Sequence, residues 1–138
     1  MKLLTFQAAS FGWEPFQRTL DDAGDAEAGE VRDCVVVFVH AERQDEAPDE
    51  RRTSVLKKTL KHVKWLANKR GLRNVVLHSF THLGGDTADA RYAAEFFDAL
   101  HDRLEGTGYA VARTPFGWFC SWRIDVFGES LAKVWKEI

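Results

Sequence analysis

The chain is poor in the residues from which many sites and scaffolds are built. Its 138 residues include two cysteines, three prolines and one methionine. Cys34 and Cys120 each sit in an apolar, strand-like run, so both read as reduced thiols of a cytosolic protein rather than as a bridge. No CxxC and no His/Cys ligand spacing points to zinc, and no P-loop, GxGxxG or Ser/His/Asp order is present. Metal and cofactor are therefore expected to be absent. No apolar run approaches the roughly 20 residues of a membrane helix, and Met1-Lys2-Leu3-Leu4 leads into a strand rather than a signal peptide. A membrane partner is not expected.

What is present is an ordinary globular composition, 45% hydrophobic and 29% charged with a net charge of −2, in a length that suits one domain over residues 1–138. Its most informative stretch runs from Arg113 to Val126. Pro115 and Gly117 make a corner, and an aromatic strand follows. Alternation places Trp118, Cys120, Trp122, Ile124 and Val126 on one face and Phe119, Ser121, Arg123 and Asp125 on the other. The apolar face reads as core and the mixed face as cleft.

Lys2 to Ala8 and Phe11 to Leu20 read as two strands, the second broken at Pro15. Asp21 to Glu30 and Glu42 to Glu50 read as acidic surface loops. Asp33 to His40 and Asn74 to Phe80 are apolar, β-branched runs, hence strands buried on both faces. Arg51 to Arg70 reads as a helix with Val55, Leu56, Leu60, Val63, Leu66 and Ala67 inward and Gly71 closing it. A turn at Gly84-Gly85 leads to a cap at Asp86-Thr87 and a helix to about Glu105. Tyr109 to Thr114 and Gly117 to Phe127 read as a pair of strands around the corner, and Glu129 to Ile138 as a short terminal helix. Strands alternate with helices only in the middle, so the fold class is mixed α/β (α+β) rather than doubly wound.

Charge is segregated. From Arg51 to Arg73 there are nine basic residues and no acidic one, whereas Asp21 to Glu50 holds eleven acidic residues against Arg32 and Arg43. The basic run reads either as a solvated helix face or as a phosphate-contacting surface through Lys57, Lys61 and Lys64. Among the histidines, His62 and His101 read as exposed on helices, and His40 and His78 end buried strands. His82, in Phe80-Thr81-His82-Leu83-Gly84-Gly85, follows the carboxyl end of a strand, where open α/β sheets place ligand groups and an imidazole can move protons near neutral pH.

Phe80-x-His82-Leu83, Tyr109 after the following helix, Pro115-Phe116-Gly117 and Leu131-Ala132 together resemble the N-terminal editing domain of archaeal-type threonyl-tRNA synthetases, over essentially the whole chain. The resemblance implies the single-domain fold of D-aminoacyl-tRNA deacylases, with a mixed sheet and two main helices. It implies hydrolysis of serine mischarged on threonine tRNA, assisted by the 2′-hydroxyl of the terminal adenosine. It also implies a partner in the aminoacylated 3′ end of tRNA, a separate threonyl-tRNA synthetase and a homodimer. His82 matches the family histidine beside the site; Phe80, Thr81, Phe116, Gly117 and Phe119 fall where the substrate is walled. The family has Tyr-Lys where this chain has Phe119-Cys120, a glutamate where it has Lys133, and in some members His-Ser-Asp where it has Gln7-Ala8-Ala9. The expected catalytic set is thus His82, Lys133 and Cys120, with the cation moved from strand to terminal helix. A non-catalytic tRNA-binding module and a hydrolase using Cys120 as nucleophile with His82 are the alternatives. Since the family lysine reaches the ligand from the Cys120 position, either that face of the strand looks into the cleft or a bulge near Gly117 shifts the alternation.

Overall fold

The seven residues from Cys34 to His40 are all buried, and they lie on the central strand of the sheet. A computed structural model describes residues 1–138, every position of the chain. In chain order the elements are β1 (Lys2–Arg18), β2 (Gly29–His40), α1 (Asp49–Arg70), β3 (Asn74–Ser79), α2 (Ala90–Glu105), β4 (Ala110–Arg113), β5 (Trp118–Val126) and β6 (Lys133–Glu137). The sheet runs β4-β3-β2-β1-β5, with β6 also pairing β1. Strands β2, β3 and β4 are parallel, joined through α1 and α2, and β1 runs antiparallel to β2, β5 and β6.

Both faces of the centre are apolar for different reasons. Val35, Val37, Val39, Val75 and Leu77 meet the helices, packing with Val55, Leu60, Val63 and Leu66 of α1 and Phe96, Phe97 and Leu100 of α2. Val36, Phe38 and Val76 point the other way, where no helix lies, and pack with Ala8, Phe11 and Trp13 of β1. Burial of these alternate residues on opposite faces explains the continuous β-branched runs.

The second face is covered because the sheet curls over itself. Phe38 pairs with Leu4 and Trp122 with Trp13, nine residues along β1. A straight strand would separate those levels by about 30 Å, yet the two rings are 5.3 Å apart. The corner makes the same demand. Arg113 is level with Leu77, Val37 and hence Thr5, whereas Trp118 pairs with Arg18. Residues 114–117 can bridge at most about 18 Å, far less than thirteen residues of straight strand. The bend lies where β1 and β5 slip register between Ala8 and Ser10 and Asp33 of β2 takes a φ of 47°. The inward residues of β1 change there from Leu4, Phe6 and Ala8 to Phe11 and Trp13.

Several expectations are corrected. Lys2 to Leu20 forms one curled strand to Arg18 rather than two. The terminal helix over Glu129–Ile138 is absent: a three-residue 3-10 turn, Ser130–Ala132, leads into β6, whose pairing with β1 outweighs a helix too short to be stable alone. Asp89, not Asp86, caps α2, its carboxylate accepting from the Arg91 amide. Strands β4 and β5 flank the corner but lie at opposite edges of the sheet. His62 is buried and bonded through Nε2 to Thr5 Oγ1 at 3.1 Å, not exposed. Both cysteines are free thiols.

Two acids of the second acidic stretch, Glu42 and Asp45, are buried, while Asp49 and Glu50 stay exposed. The Met1 ammonium, fully buried, lies 2.7 Å from both Glu42 Oε2 and Asp45 Oδ2. Lys2 Nζ meets Glu42 Oε1 at 2.9 Å, and Arg51 Nη2 bridges Asp45 Oδ1 at 2.7 Å to the Ile138 carbonyl at 2.8 Å. Burial by itself would raise the Glu42 carboxyl; the bonds and charges of the ammonium and Lys2 outweigh it and hold the group at about 2. On the aromatic face burial holds His78 at about 4, and His62 is also lowered by burial and then by Lys136.

Phe38 has the rings of Phe6, Phe11, His78, Phe80 and Trp122 around it, with centroids 4.8–6.2 Å away. Phe38→Ala should cost about 3–5 kcal/mol in urea unfolding. Phe16→Ala, at a side chain 78% exposed, should stay within about 0.5 kcal/mol. The pH profile of stability should fall in two limbs. An unfolded histidine binds a proton near pH 6.5 that native His78 refuses until about 4, so stability is complete above 6.5 and declines from there to 4. Glu42, unfolded near 4.5 and native near 2, contributes stability above 4.5 that is lost as pH falls towards 2. Each shift corresponds to roughly 3 kcal/mol. His78→Asn should shrink the upper limb, leaving the His62 part, and Glu42→Gln should remove the lower one; thermal melts from pH 3 to 8 measure both.

Candidate functional site

The carboxyl ends of β2 and β3 and the Thr114–Gly117 corner converge at one end of the curled sheet, and the expected site residues divide around that mouth. Strand β3 ends at Ser79, and Phe80 follows with its amide bonded to the Val39 carbonyl at 3.0 Å. That bond keeps Phe80 beside Phe38, ring centroids 5.2 Å apart. His82 is exposed, its ring edge-on to Phe80 at 5.3 Å, and Thr81 is exposed beside it.

The loop carrying His82 is tied down by His40, a residue whose role in the site was not expected from sequence. His40 is fully buried at the end of β2. Its Nδ1 accepts from the Leu83 amide at 3.0 Å and its Nε2 lies 2.6 Å from the Asp86 carbonyl. An amide at Nδ1 and a carbonyl at Nε2 together require the Nε2–H tautomer. Gly84 sits between these bonds, and a Cβ there would lie 2.8 Å from Lys2 Nζ and 3.1 Å from His40 Cε1. The Gly84-Gly85 pair in the sequence thus marks a close approach as well as a turn.

The corner is anchored at both ends. The Thr114 amide donates to the Leu77 carbonyl at 3.1 Å, and its hydroxyl meets His78 Nδ1 at 2.8 Å. Phe116 packs on Phe97 of α2, centroids 5.9 Å apart. Gly117, at a φ of 80°, accepts from Thr19 at 2.8 Å, and a Cβ there would meet Ala23 at 2.9 Å. A pocket of about 340 Å³ opens between this corner and α2, lined by Ser79, Phe97, Asp98, Arg113, Thr114 and Phe116 among others. Its arginine is already held by Asp98 at 2.5 Å.

The remaining residues are not gathered at this mouth by any bond to His82. Cys120 lies on the inward face of β5 against the aromatic cluster, and burial raises its thiol above the ordinary range. Of the two register alternatives, the apolar face looks inward; a slip between Pro15 and Gln17 of β1 also lies opposite Cys120 and Phe119. Phe119 is 56% exposed and belongs to the outward alternation. Lys133 lies on β6, not a helix, paired in register with Phe6. Its ammonium donates to the carbonyls of Phe127 at 2.9 Å and Gly128 at 3.3 Å. The ring of Phe127 in turn carries the Arg70 guanidinium 3.9 Å from its centroid, and Arg70 is paired with Glu129. Lys133 therefore closes the turn between β5 and β6. No three His, Cys, Asp or Glu side chains converge in a metal-binding arrangement.

The nine cations of the basic run also divide. Arg51, Arg52 and Arg70 are paired with Asp45, Glu95 and Glu129, and Arg73 lies over the Tyr109 ring. Lys57, Lys58, Lys61, Lys64 and Lys69 have no carboxylate within ion-pair distance. Lys57 and Lys61 are exposed and Lys64 half-buried.

A solved structure of c-Myc DNA Unwinding Element Binding Protein shares the fold, with a TM-score of 0.64 at 12% identity over 100% of this chain and 99% of that one. The architecture is the mixed α+β fold of the D-aminoacyl-tRNA deacylase-like class, as the resemblance implied. A threonine–tRNA ligase of Methanoregula boonei is 30% identical over 139 residues, and those of Methanococcus aeolicus and Thermofilum pendens are 27% and 28% identical. Each comparison takes in 100% of this chain but 22% of the relative, so the chain spans about a fifth of the length of the curated relatives it matches. The family model described as the archaea-specific editing domain of threonyl-tRNA synthetase matches residues 1–138, and the chain belongs to that family.

Proposed function

We propose that the chain edits aminoacyl-tRNA, hydrolysing the ester of seryl-tRNA(Thr) in trans beside a separate threonyl-tRNA synthetase. The observation that carries this reading is the family match over the full length, and the tethered His82 loop supplies a fitting mouth. Editing answers a physical need: a pocket that accepts threonine cannot sterically exclude the smaller serine. In the reaction, water attacks the ester carbonyl, the bond to the ribose oxygen breaks, and that oxygen takes up a proton, leaving free serine and uncharged tRNA. The 2′-hydroxyl of the terminal adenosine orients the water. In this reading His82, exposed beside Phe80, exchanges protons with the substrate, and Phe80, Thr81, Phe116 and Gly117 wall it. The raised Cys120 thiol argues against a thiolate nucleophile.

A second reading has its own support. By the resemblance a neutral thiol, Cys120, stands where the family has a lysine, and the Lys133 amine is bonded to backbone carbonyls of the β5–β6 turn. That arrangement favours a tRNA-binding module without chemistry. The unpaired lysines of α1 serve both readings.

Purified protein should deacylate seryl-tRNA(Thr) in preference to threonyl-tRNA(Thr) and to D-aminoacyl-tRNAs. Activity should survive Cys120→Ser and fall at least tenfold on tRNA ending in 2′-deoxyadenosine. Full activity on the deoxy substrate would end the substrate-assisted scheme, and inactivity on every ester would establish the binding module. Reversing Lys57, Lys61 and Lys64 to glutamate should weaken tRNA binding and flatten its dependence on salt in filter-binding titrations. Unchanged affinity at low salt would return α1 to a solvated face.

A further inference from the structure

A wide groove opens away from the His82 loop. It lies on the helix side of the sheet, between α1 and the edge strand β6, with a volume of about 610 Å³. That is within the range of roughly 300–1,000 Å³ typical of small-ligand sites. Lys58, His62 and Trp65 enter it from successive turns of α1, at the i, i+4 and i+7 positions that share one helix face. Lys61 joins them from α1 and Lys136 from β6, with Val134 between.

Two features distinguish this groove from an ordinary surface depression. Trp65 is 42% exposed, although it lies within a helix whose Val63, Leu66 and Ala67 are fully buried. Its ring is backed by the buried His62 ring, centroids 5.9 Å apart and tilted by 34°, and His62 is itself held by Thr5. The indole thus presents a supported aromatic face. Lys58, Lys61 and Lys136 line the same groove, and none has a carboxylate partner within 4.0 Å. Glu137 is the one acidic side chain in the lining.

We infer that this groove binds an unpaired nucleotide of an RNA strand, the base stacked on Trp65 and its flanking phosphates on Lys58, Lys61 and Lys136. An aromatic platform between cations is the arrangement by which proteins hold single strands, since every base has a stacking face and every residue of the strand a phosphate. An acidic peptide would satisfy the ammonium groups but leave the indole without its complement. A second copy docked about a two-fold axis would oppose one lysine cluster to the other, at a cost in repulsion. The inference rests on the proposed function for the strand being a tRNA, though not for the stacking chemistry. It adds a contact remote from the reacting ester and involves none of the residues placed at the His82 mouth.

The test uses the full chain with two probes, a labelled twelve-nucleotide single-stranded RNA and a tRNA(Thr) transcript, read by fluorescence anisotropy. Trp65→Ala should weaken single-strand binding by roughly 5- to 160-fold, the range expected for losing one stacked base. Trp65→Phe, which keeps an aromatic face, should restore most of it, and circular dichroism of both variants should match the parent. Lys58→Ala with Lys136→Ala should lower the slope of log affinity against log salt by about 1.4, two single-strand phosphate contacts. A duplex RNA of equal length should compete at least tenfold less well. Equal binding by Trp65→Ala and parent, equal competition by the duplex, or a sedimenting dimer that Trp65→Ala dissociates would each overturn the nucleotide site. If the transcript binds and Trp65→Ala leaves that binding unchanged, the groove fails while the tRNA reading stands. If the oligonucleotide binds through Trp65 and the transcript does not bind at all, the groove is supported and the tRNA reading fails.

Discussion

The packing of five rings on Phe38 is the contact on which the shape of this protein depends. Helices cover only one face of the sheet, so the other must find its own cover or remain an exposed apolar surface. Curling the far half of β1 with β5 brings Phe11, Trp13 and Trp122 over Phe38 and leaves Phe38 only 2% exposed. The curl needs a place to start, which the register slip after Ala8 provides, and a tether at its end, which the short Thr114–Gly117 corner provides. Remove the aromatic contacts and the bend loses its side-chain packing, leaving the strand pairing and the hydrogen bonds of the corner to hold it.

This solution has a consequence for chemistry. Once the inner face is filled with rings, reactive groups are confined to its rim. Cys120 points inward, and its small thiol packs against the aromatic cluster. His82 stays outside because its loop is held by His40 on the rim, with Gly84 allowing the close approach. Several polar groups that enter the interior have partners, whereas the buried Thr59 Oγ1, Tyr92 OH and His101 Nδ1 have none. His78 bonds to Thr114, which joins the aromatic cluster to the corner. The rim that carries His82 is therefore supported from behind by the packed sheet.

The centre of this fold was legible in the sequence and its ends were not. Strands β2 and β3 announced themselves because burial on both faces imposes continuous apolar runs, and α1 because its inward residues repeat at helical spacing. Strand β1 was divided because Ala9 and Ser10 interrupt the alternation and Pro15 breaks the run. In the structure the first is the bend. The second is tolerated because β2 pairs with β1 only as far as Trp13, leaving that side of the strand open. The terminal segment misled for another reason: Ser130-Leu131-Ala132 has local helical character, but a long-range pairing of Lys133–Glu137 with Lys2–Phe6 decides the outcome. The position of His82 after the end of a strand could be read from the sequence. The role of His40 could not, because two hydrogen bonds spanning more than forty residues leave no local pattern.

Charge shows the same division between local pattern and tertiary outcome. A net charge of −2 gives no hint of a basic surface, and the acidic stretches nearly match the basic run in number. Folding separates them. Glu42 and Asp45 turn inward to the chain's own ammonium, Lys2 and Arg51, so their charge is consumed within the molecule. The arginines of α1 find carboxylates or an aromatic ring, whereas its lysines find none. That separation follows from the side chains: a guanidinium makes directional, forked bonds worth holding in a fold, while a flexible ammonium remains hydrated unless a partner is presented. What is left is a face of α1 and β6 that carries Lys58, Lys61 and Lys136 against Glu137, beside a tryptophan that the core does not cover. A protein that is slightly acidic overall thus acquires a surface fitted to a polyanion. The asymmetry arises from which cations the fold uses internally, not from how many it has.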